Sequence, residues 1–409
     1  MNENNVLSNF SYVFSTGAYI DSLSLAFEVR HPLTQQPVPD IVVGLYPITV
    51  TDSTLGTDKP IYFQQTNEEG QVNFAYLRAD TFTVIGFADQ NNDLRIQPAT
   101  ESMAFLAEPV TPSNSPARKM MLINPPHAFD FACKSKQEEQ GLLTITSSYP
   151  LPAAALQLSG VDSFAVIPLH TDSFRVMYQP TTADSLVLHA TYSDTLTFTD
   201  TLPLRQLPDR DSVFSLPAPM IQYREKGLTL RYQLKTPLQH IDSQSFTLSI
   251  DSLPIDYQCV ATRTAIEIKT DGIPFGDTLK WAWRPQHLVD WFGYPNRPAS
   301  GLIPIPKKEE WGQLVVAIDS TWIGSTILLQ LLTETGTLIQ SHTTKGDAWR
   351  IPYLSPGNYT VRAIVDRNEN GYWDAGRWAL RQLPEAVFVI PSPITIRANW
   401  ENNVKISPD

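Results

Sequence analysis

The stretch YLSPGNYTVRAIVDRNEN, residues 353–370, decides how this chain is read, because residues 76–93 repeat it as YLRADTFTVIGFADQNND. The two align without gaps at an offset of 277. Tyr76 meets Tyr353, Leu77 meets Leu354, Thr83 meets Thr360 and Val84 meets Val361. Asp89 meets Asp366, and Asn91 meets Asn368. Upstream of each lies a polar turn, TNEEGQVNF in one copy and TTKGDAWRI in the other. A spacing this long does not make a solenoid. It reads as two copies of one β module near the two ends of the chain, with different material between them.

Strand periodicity governs the rest. LSLAFEVR puts Leu23, Leu25, Phe27 and Val29 on one face. LTLRYQLK does the same with Leu228, Leu230, Tyr232 and Leu234, leaving Thr229, Arg231, Gln233 and Lys235 outside. FTLSI, AIEIK and LKWAW continue the pattern. Alternation of this kind marks half-buried antiparallel strands with one wet face. Helical periodicity is nearly absent, with at most a turn or two near RPQHLVDWFG or GRWALRQL. The 33 prolines against 19 glycines also favour short strands and turns over helices. The expected fold class is all-β: serial β-sandwiches with very little helix.

The bulk composition excludes several functions. The 409 residues are 42% hydrophobic and 18% charged, so the chain is globular and long enough for several cores. The net charge of −12 and the absence of a basic cluster argue against a nucleic-acid partner. Two cysteines, Cys133 and Cys259, cannot supply a disulfide framework or a cysteine zinc site. No apolar run reaches the ~18 residues of a membrane span, and MNENNVLSNF lacks the basic start and apolar core of a signal peptide. No G-x-S-x-G elbow, phosphate-binding glycine loop or H-E-x-x-H occurs, and no histidine has a partner at i+2 or i+4.

Both end modules resemble the prealbumin-like, carboxypeptidase-regulatory-like β-sandwich. The first does so through TQQPVPDIVVGLY (34–46), TNEEGQVNF and LRADTFTV. The second does so through ILLQLLTETGTLIQ and YLSPGNYTVRAIVDRNENGYWDAG. RPQHLVDWFGYPN (284–296) is similar to the close of a bacterial S-layer-type (SbsA-like) Ig-like domain, where a last strand follows an Asp-x-x-Gly turn. With NFSYVFSTGAYIDSLSL (9–25), ESMAFL (101–106) and LPEAVFVIPSPITIRANWE (383–401), the order of pieces resembles a multidomain envelope protein of Bacteroidota. That resemblance implies five parts. Residues 1–16 would be a residual strand of a missing Ig-like domain, 17–118 a prealbumin-like sandwich and 119–218 a β-domain of uncertain type. An Ig-like sandwich would follow at 219–306, and a second prealbumin-like sandwich at 307–409. It further implies a lipoprotein-type exported chain of the cell envelope or outer-membrane surface, shortened at its N-terminus, with a non-enzymatic stalk, scaffold or adhesion role.

Two constellations carry candidate chemistry. Asp366, Asn368, Asn370, the Tyr372 carbonyl and Asp374 occupy positions 1, 3, 5, 7 and 9 of a calcium-type loop around Gly371. Position 12 is Arg377 where a bidentate Glu belongs, so any calcium site would be weak. The same residues also suit a turn in which Asp and Asn side chains bond their own backbone. The counterpart loop DQNNDLRIQ (89–97) has Leu94 for the glycine and Gln97 for the second Asp, and is the poorer site. In WAWRPQHLVDWFGY, Trp281, Trp283 and Trp291 offer stacking platforms for a glycan or a protein partner, or else core. A hydrolase with acids brought together from separate parts of the chain is the third reading.

Overall fold

In the computed structural model, the described residues are 21–97, 100–113, 115–123, 131–179, 181–193, 196–205, 207, 211–262 and 264–408. The residual strand expected at 1–16 lies outside them. The chain is all-β, and its described residues form nine sheets, of which one, Leu238–Ile241 with Leu288–Asp290, is a two-stranded ribbon. It divides into two compact units. One holds the described residues of Met1–Asp130 with Asp374–Glu385, and the other holds Phe131–Trp373 with Ala386–Asp409.

The first unit contains β1 (Leu23–Arg30), β2 (Val42–Pro47), α1 (Asp52–Leu55), β3 (Tyr62–Gln65), β4 (Gln71–Leu77), β5 (Phe82–Phe87), β6 (Met103–Phe105) and β7 (Arg118–Met121). One sheet runs β4-β1-β7 and the other β3-β2-β5-β6. Within the first, β1 is antiparallel to β4 and parallel to β7. The alternation read from LSLAFEVR is real. Leu25, Phe27 and Val29 point into a core shared with Val43, Leu45, Phe74 and Val84 from both sheets.

The second unit opens with β8 (Cys133–Glu139), β9 (Leu142–Ser147), β10 (Leu156–Ser159), β11 (Phe164–Pro168), β12 (Ser173–Tyr178), β13 (Ser185–Thr191) and β14 (Thr197–Pro203). Their sheets run β11-β12-β9-β8 and β10-β13-β14. Next come β15 (Met220–Arg224), β16 (Gly227–Gln233), β17 (Leu238–Ile241), β18 (Phe246–Ile250), β19 (Leu253–Pro254), β20 (Gln258–Ala261), β21 (Ala265–Lys269), β22 (Thr278–Trp283), β23 (Leu288–Asp290) and β24 (Ala299–Pro304). Sheets β15-β16-β21-β20 and β19-β18-β22-β24 enclose Leu228, Leu230, Tyr232, Phe246, Trp281 and Trp283. Thr229, expected on the wet face, is 1% exposed, so β16 is covered on both faces at that point.

The same unit closes with β25 (Gly312–Ile318), β26 (Ile327–Thr333), β27 (Leu338–Thr344), β28 (Trp349–Leu354), β29 (Gly357–Val365), β30 (Val387–Val389), β31 (Ile394–Ile396) and β32 (Glu401–Ile406). One sheet runs β28-β25-β32, with β25 antiparallel to β28 and parallel to β32. The other runs β27-β26-β29-β30, and β31 also pairs with β29. Apart from β31, whose place in the first copy is marked by a single Phe82–Val110 bridge, this is the connectivity of β1–β7. The register agrees as well: Leu45 pairs with Val84 in one copy and Leu331 with Val361 in the other. A strand parallel to the first strand closes one sheet in each copy.

Among the described residues helix is confined to α1 and short 3₁₀ turns. One of these turns, Trp378–Leu380, lies inside GRWALRQL. RPQHLVDWFG instead forms β23 and the turn after it, and α1 had no signal in the periodicity. Among the described residues no helix is long and apolar enough to cross a membrane.

Candidate functional site

The two Asx-rich loops fold into the same turn. In the C-terminal copy Asp366 is 2% exposed. Its Oδ1 accepts the Asn370 N–H at 3.1 Å and its Oδ2 accepts the Gly371 N–H at 2.8 Å. Asn368 Oδ1 accepts from Asn370 N at 3.3 Å, and Asn370 Oδ1 from Tyr372 N at 2.8 Å. In the first copy Asp89 Oδ1 and Oδ2 accept from Asp93 N at 3.2 Å and Leu94 N at 3.0 Å. Asn91 Oδ1 accepts from Asp93 N at 3.2 Å, and Asp93 Oδ1 from Arg95 N at 2.8 Å. Every bond recurs at the offset of the sequence repeat. The backbone follows: φ is 58° at Glu369 and 78° at Gly371, against 59° at both Asn92 and Leu94.

A second carboxylate takes part in each copy, and it was missed in the sequence. Glu101 stands two residues before β6 and Glu385 two residues before β30. Glu101 is 1% exposed, and its Oε2 accepts from Gln97 N at 2.8 Å while Oε1 accepts from Gln90 N at 3.2 Å. Glu385 Oε2 accepts from Asp374 N at 3.2 Å. Gln97 and Asp374 are themselves related by the repeat. Burial pushes the Glu101 carboxyl up from its ordinary value. The two backbone N–H groups oppose that shift, and the charges of Asp89 and Asp93 add to it. The signal that could have found this pair is a Glu two residues ahead of a short apolar strand, in ESMAF and PEAVF.

The calcium reading needs oxygens free to face an ion. Asp366, Asn368, Asn370 and Tyr372 lie in the second unit, while Asp374 belongs to the segment counted with the first. Both carboxylate oxygens of Asp366 and the amide oxygens of Asn368 and Asn370 already accept N–H groups. The turn is therefore closed by protein bonds. Among the described residues no three Asp, Glu, His or Cys side chains converge to hold a metal ion.

The tryptophans divide differently from the platform reading. Trp281 and Trp283 do share a face, but they are 6% and 1% exposed, packed on Tyr232 and Phe246. A ring so covered has no face for a sugar, because aromatic burial has filled the core instead. Trp291 is half-buried and packs with Phe292 on Leu142, Ile167 and Met177. Its backbone carbonyl accepts from Gln179 Nε2 at 3.3 Å and Gln239 Nε2 at 2.7 Å. The exposed tryptophan is Trp400, at 62%, with the Arg397 guanidinium 5.9 Å from its ring centre. It lies outside the aromatic-rich stretch that draws attention in the sequence.

The Asp-x-x-Gly turn before β24 is held by Asp290, which is 1% exposed. Its Oδ1 accepts from Phe292 N at 3.0 Å and Tyr294 N at 2.9 Å, and Gly293 sits at φ 86°. Beside it is a cavity of about 470 Å³ lined by Glu138, Glu139, Asp211, Lys235, Asp290 and Tyr294, among others. Its carboxylates are engaged. Glu139 pairs with Lys235, Asp211 with Arg297 at 3.0 Å, and Glu138 accepts from Thr144 Oγ1 at 2.8 Å. Cys133 and Cys259 are both free thiols.

No protein-family model matches the chain, and no curated protein matches it. Among solved structures it is similar to BcpA, the major pilin subunit of Bacillus cereus, at 8% identity and a TM-score of 0.17, covering 95% of this chain and 99% of that one. It is also similar to SGBP-B of the Bacteroides ovatus mixed-linkage glucan utilization locus, in complex with mixed-linkage heptasaccharide. There the identity is 10% and the TM-score 0.25, with 97% of this chain and 100% of that one covered. The T6 backbone pilin of serotype M6 Streptococcus pyogenes matches at 9% identity and a TM-score of 0.15, over 92% and 81% of the two chains. Scores this low carry no argument about this chain. Its fold rests on its own strand order.

Proposed function

We propose that this is a non-catalytic structural protein of the cell envelope or surface, acting as a β-sandwich stalk or scaffold. The five-part division expected from the sequence belongs to this reading, with prealbumin-like modules at 17–118 and 307–409 and an Ig-like one at 219–306. The observation that carries it is how the buried acids are used. Asp366, Asp290 and Glu101 each accept backbone N–H groups that close turns between strands. A hydrolase instead needs carboxylates held free of such duties, with pKa values set for proton transfer. The decisive experiment is protease treatment of intact producing cells, followed by detection of the chain. Cleavage without lysis is the expected result, and protection until lysis would remove the surface role.

A glycan-binding role is the second reading, and the exposed Trp400 favours it over the buried pair Trp281 and Trp283. A glycan array with the wild-type chain and Trp400→Ala separates the two readings. Binding lost on substitution, with the fold intact, would replace the stalk by a lectin-like role. A weak calcium role for the Asp366, Asn368, Asn370 and Tyr372 loop rests on the calcium-type spacing of its oxygens around Gly371. Millimolar calcium should then raise the unfolding temperature relative to chelator, and equal temperatures would end that role.

A further inference from the structure

The core of the first unit is completed by a segment far downstream in sequence. Trp378 is 3% exposed and belongs to the cluster of Tyr46, Leu55, Ile85 and Phe105. It meets the Phe105 ring edge-to-face, with centroids 5.3 Å apart. Its Nε1 donates to Asp52 Oδ1 at 2.7 Å, across 326 positions of sequence. Arg381 Nη2 donates to the same oxygen at 3.0 Å, and its guanidinium lies 3.4 Å over the Trp378 ring. Tryptophan and arginine are the residues that most often dominate recognition surfaces.

The segment is also built as a self-contained ligand. Arg377 and Gln382 exchange two backbone hydrogen bonds, of 2.7 and 3.0 Å, which close a small hairpin. A side chain at Gly376 would collide with Pro384 Cδ at 2.5 Å, so the base of the hairpin is packed tight. Arg381 takes the left-handed conformation, φ 51°, that returns the chain toward Gln382. Eleven positions separate Asp374 from Glu385, where four separate the equivalent Gln97 from Glu101. The extra residues are the ones that carry Trp378 and Arg381. A hairpin preorganised in this way gives up little entropy on docking.

We propose that the Asp374–Glu385 hairpin is an exchangeable ligand of the first unit, so that a second copy of this chain can supply it. The cleft above Asp52 recognises a Trp-x-x-Arg hairpin whichever chain carries it. Exchange of an identical element between copies keeps every contact and is a low-cost route to association. This holds wherever the chain acts, and it is independent of the surface role.

The test uses two full-length variants. The recipient carries Trp378→Ala and Arg381→Ala, leaving its cleft unfilled. The donor carries Asp52→Lys, which removes the shared acceptor and repels Arg381, so its own hairpin is freed. Sedimentation velocity on each alone should give monomers, and on an equimolar mixture a heterodimer. A mixture that stays monomeric at high concentration overturns the proposal. Since loss of Trp378 weakens the core, the recipient is also made as Trp378→Phe with Arg381→Ala, whose own hairpin supports the core but, lacking both bonds to Asp52, is displaced by the wild-type hairpin. A fluorescent synthetic peptide of residues 374–385 should bind either recipient one-to-one, and at least tenfold more weakly once Asp52→Lys is added. Equal binding with and without Asp52→Lys, or none at all, contradicts the assigned recognition.

Discussion

The two terminal sandwiches share one connectivity and one turn, yet they complete themselves differently. In the first copy the connection from β5 to β6 is short, and Glu101 bonds directly to Gln90 and Gln97. In the second the corresponding connection carries an additional hairpin, and that hairpin packs in the core of the first unit. The difference teaches that a turn can be inherited whole while the length behind it is free to take up another task. The conserved part is the one whose backbone N–H groups need a carboxylate to satisfy them.

The largest expected effect falls on the hairpin. Trp378→Ala should lower the stability of the first unit by about 3–5 kcal/mol, the range for removing a fully buried aromatic ring. Limited proteolysis of the full chain in increasing urea reads this by the cleavage sites that appear first. Early cuts near β5 and β6 are expected, and an unchanged profile would mean the ring is dispensable.

The shared turn allows a finer comparison. Asp366→Ala and Asp89→Ala each remove the acceptor of one backbone N–H, that of Gly371 or Leu94, while Asn370 and Asp93 keep a second acceptor in Asn368 and Asn91. The cost is about 1–3 kcal/mol for a group left buried without a partner. Asp366 is the more deeply buried of the two, so its replacement should cost more, as read by urea midpoints of the two proteins. An equal cost would mean that burial does not set the strength of the turn.

Smaller effects follow from the backbone. Leu94 holds φ 59° where the other copy has Gly371 at φ 78°. A side chain in that region costs about 1–2 kcal/mol. Gly371→Ala should therefore destabilise the second turn by up to about 1 kcal/mol, whereas Leu94→Ala, which keeps the strained φ and loses packing on the Tyr46 and Phe105 cluster, should destabilise the first by more. Thermal unfolding reads both, and a larger loss for Gly371→Ala would break the comparison.

The smallest effect is electrostatic and confined to the second copy. The Lys405 ammonium and the N–H and hydroxyl of Thr321 hold Asp319 down at about 2 from an ordinary 3.8. A group lowered in the fold contributes stability above its ordinary value and loses it as pH falls toward the folded one. Asp319→Asn should thus be slightly less stable than wild type at neutral pH, with the difference shrinking between about pH 4 and pH 2, so that its acid limb is shallower. An acid limb identical to wild type would contradict it.

Much of the fold was legible because alternation and repetition are local signals. Leu228, Leu230, Tyr232 and Leu234 line one face in the sequence and in the core. The Asx turn was equally visible, since each of its bonds spans five residues or fewer. What could not be read depends on distance. Trp378 looks like any aromatic beside a turn, and only its meeting with Asp52 makes it core. Trp281 and Trp283 look like a platform until the second sheet covers them. Glu101 and Glu385 were missed because their bonds to Gln90 and Asp374 each span eleven positions.

The two end modules share one duplicated connectivity, in which a closing strand runs parallel to the first. Paired cysteines at Glu28 and Lys119, and separately at Val315 and Asn403, sit at parallel-strand partners in the two copies. With Cys133→Ser and Cys259→Ser as background, mild oxidation and peptide mass analysis should find both cross-links. One pair linking while the other does not would contradict the duplication.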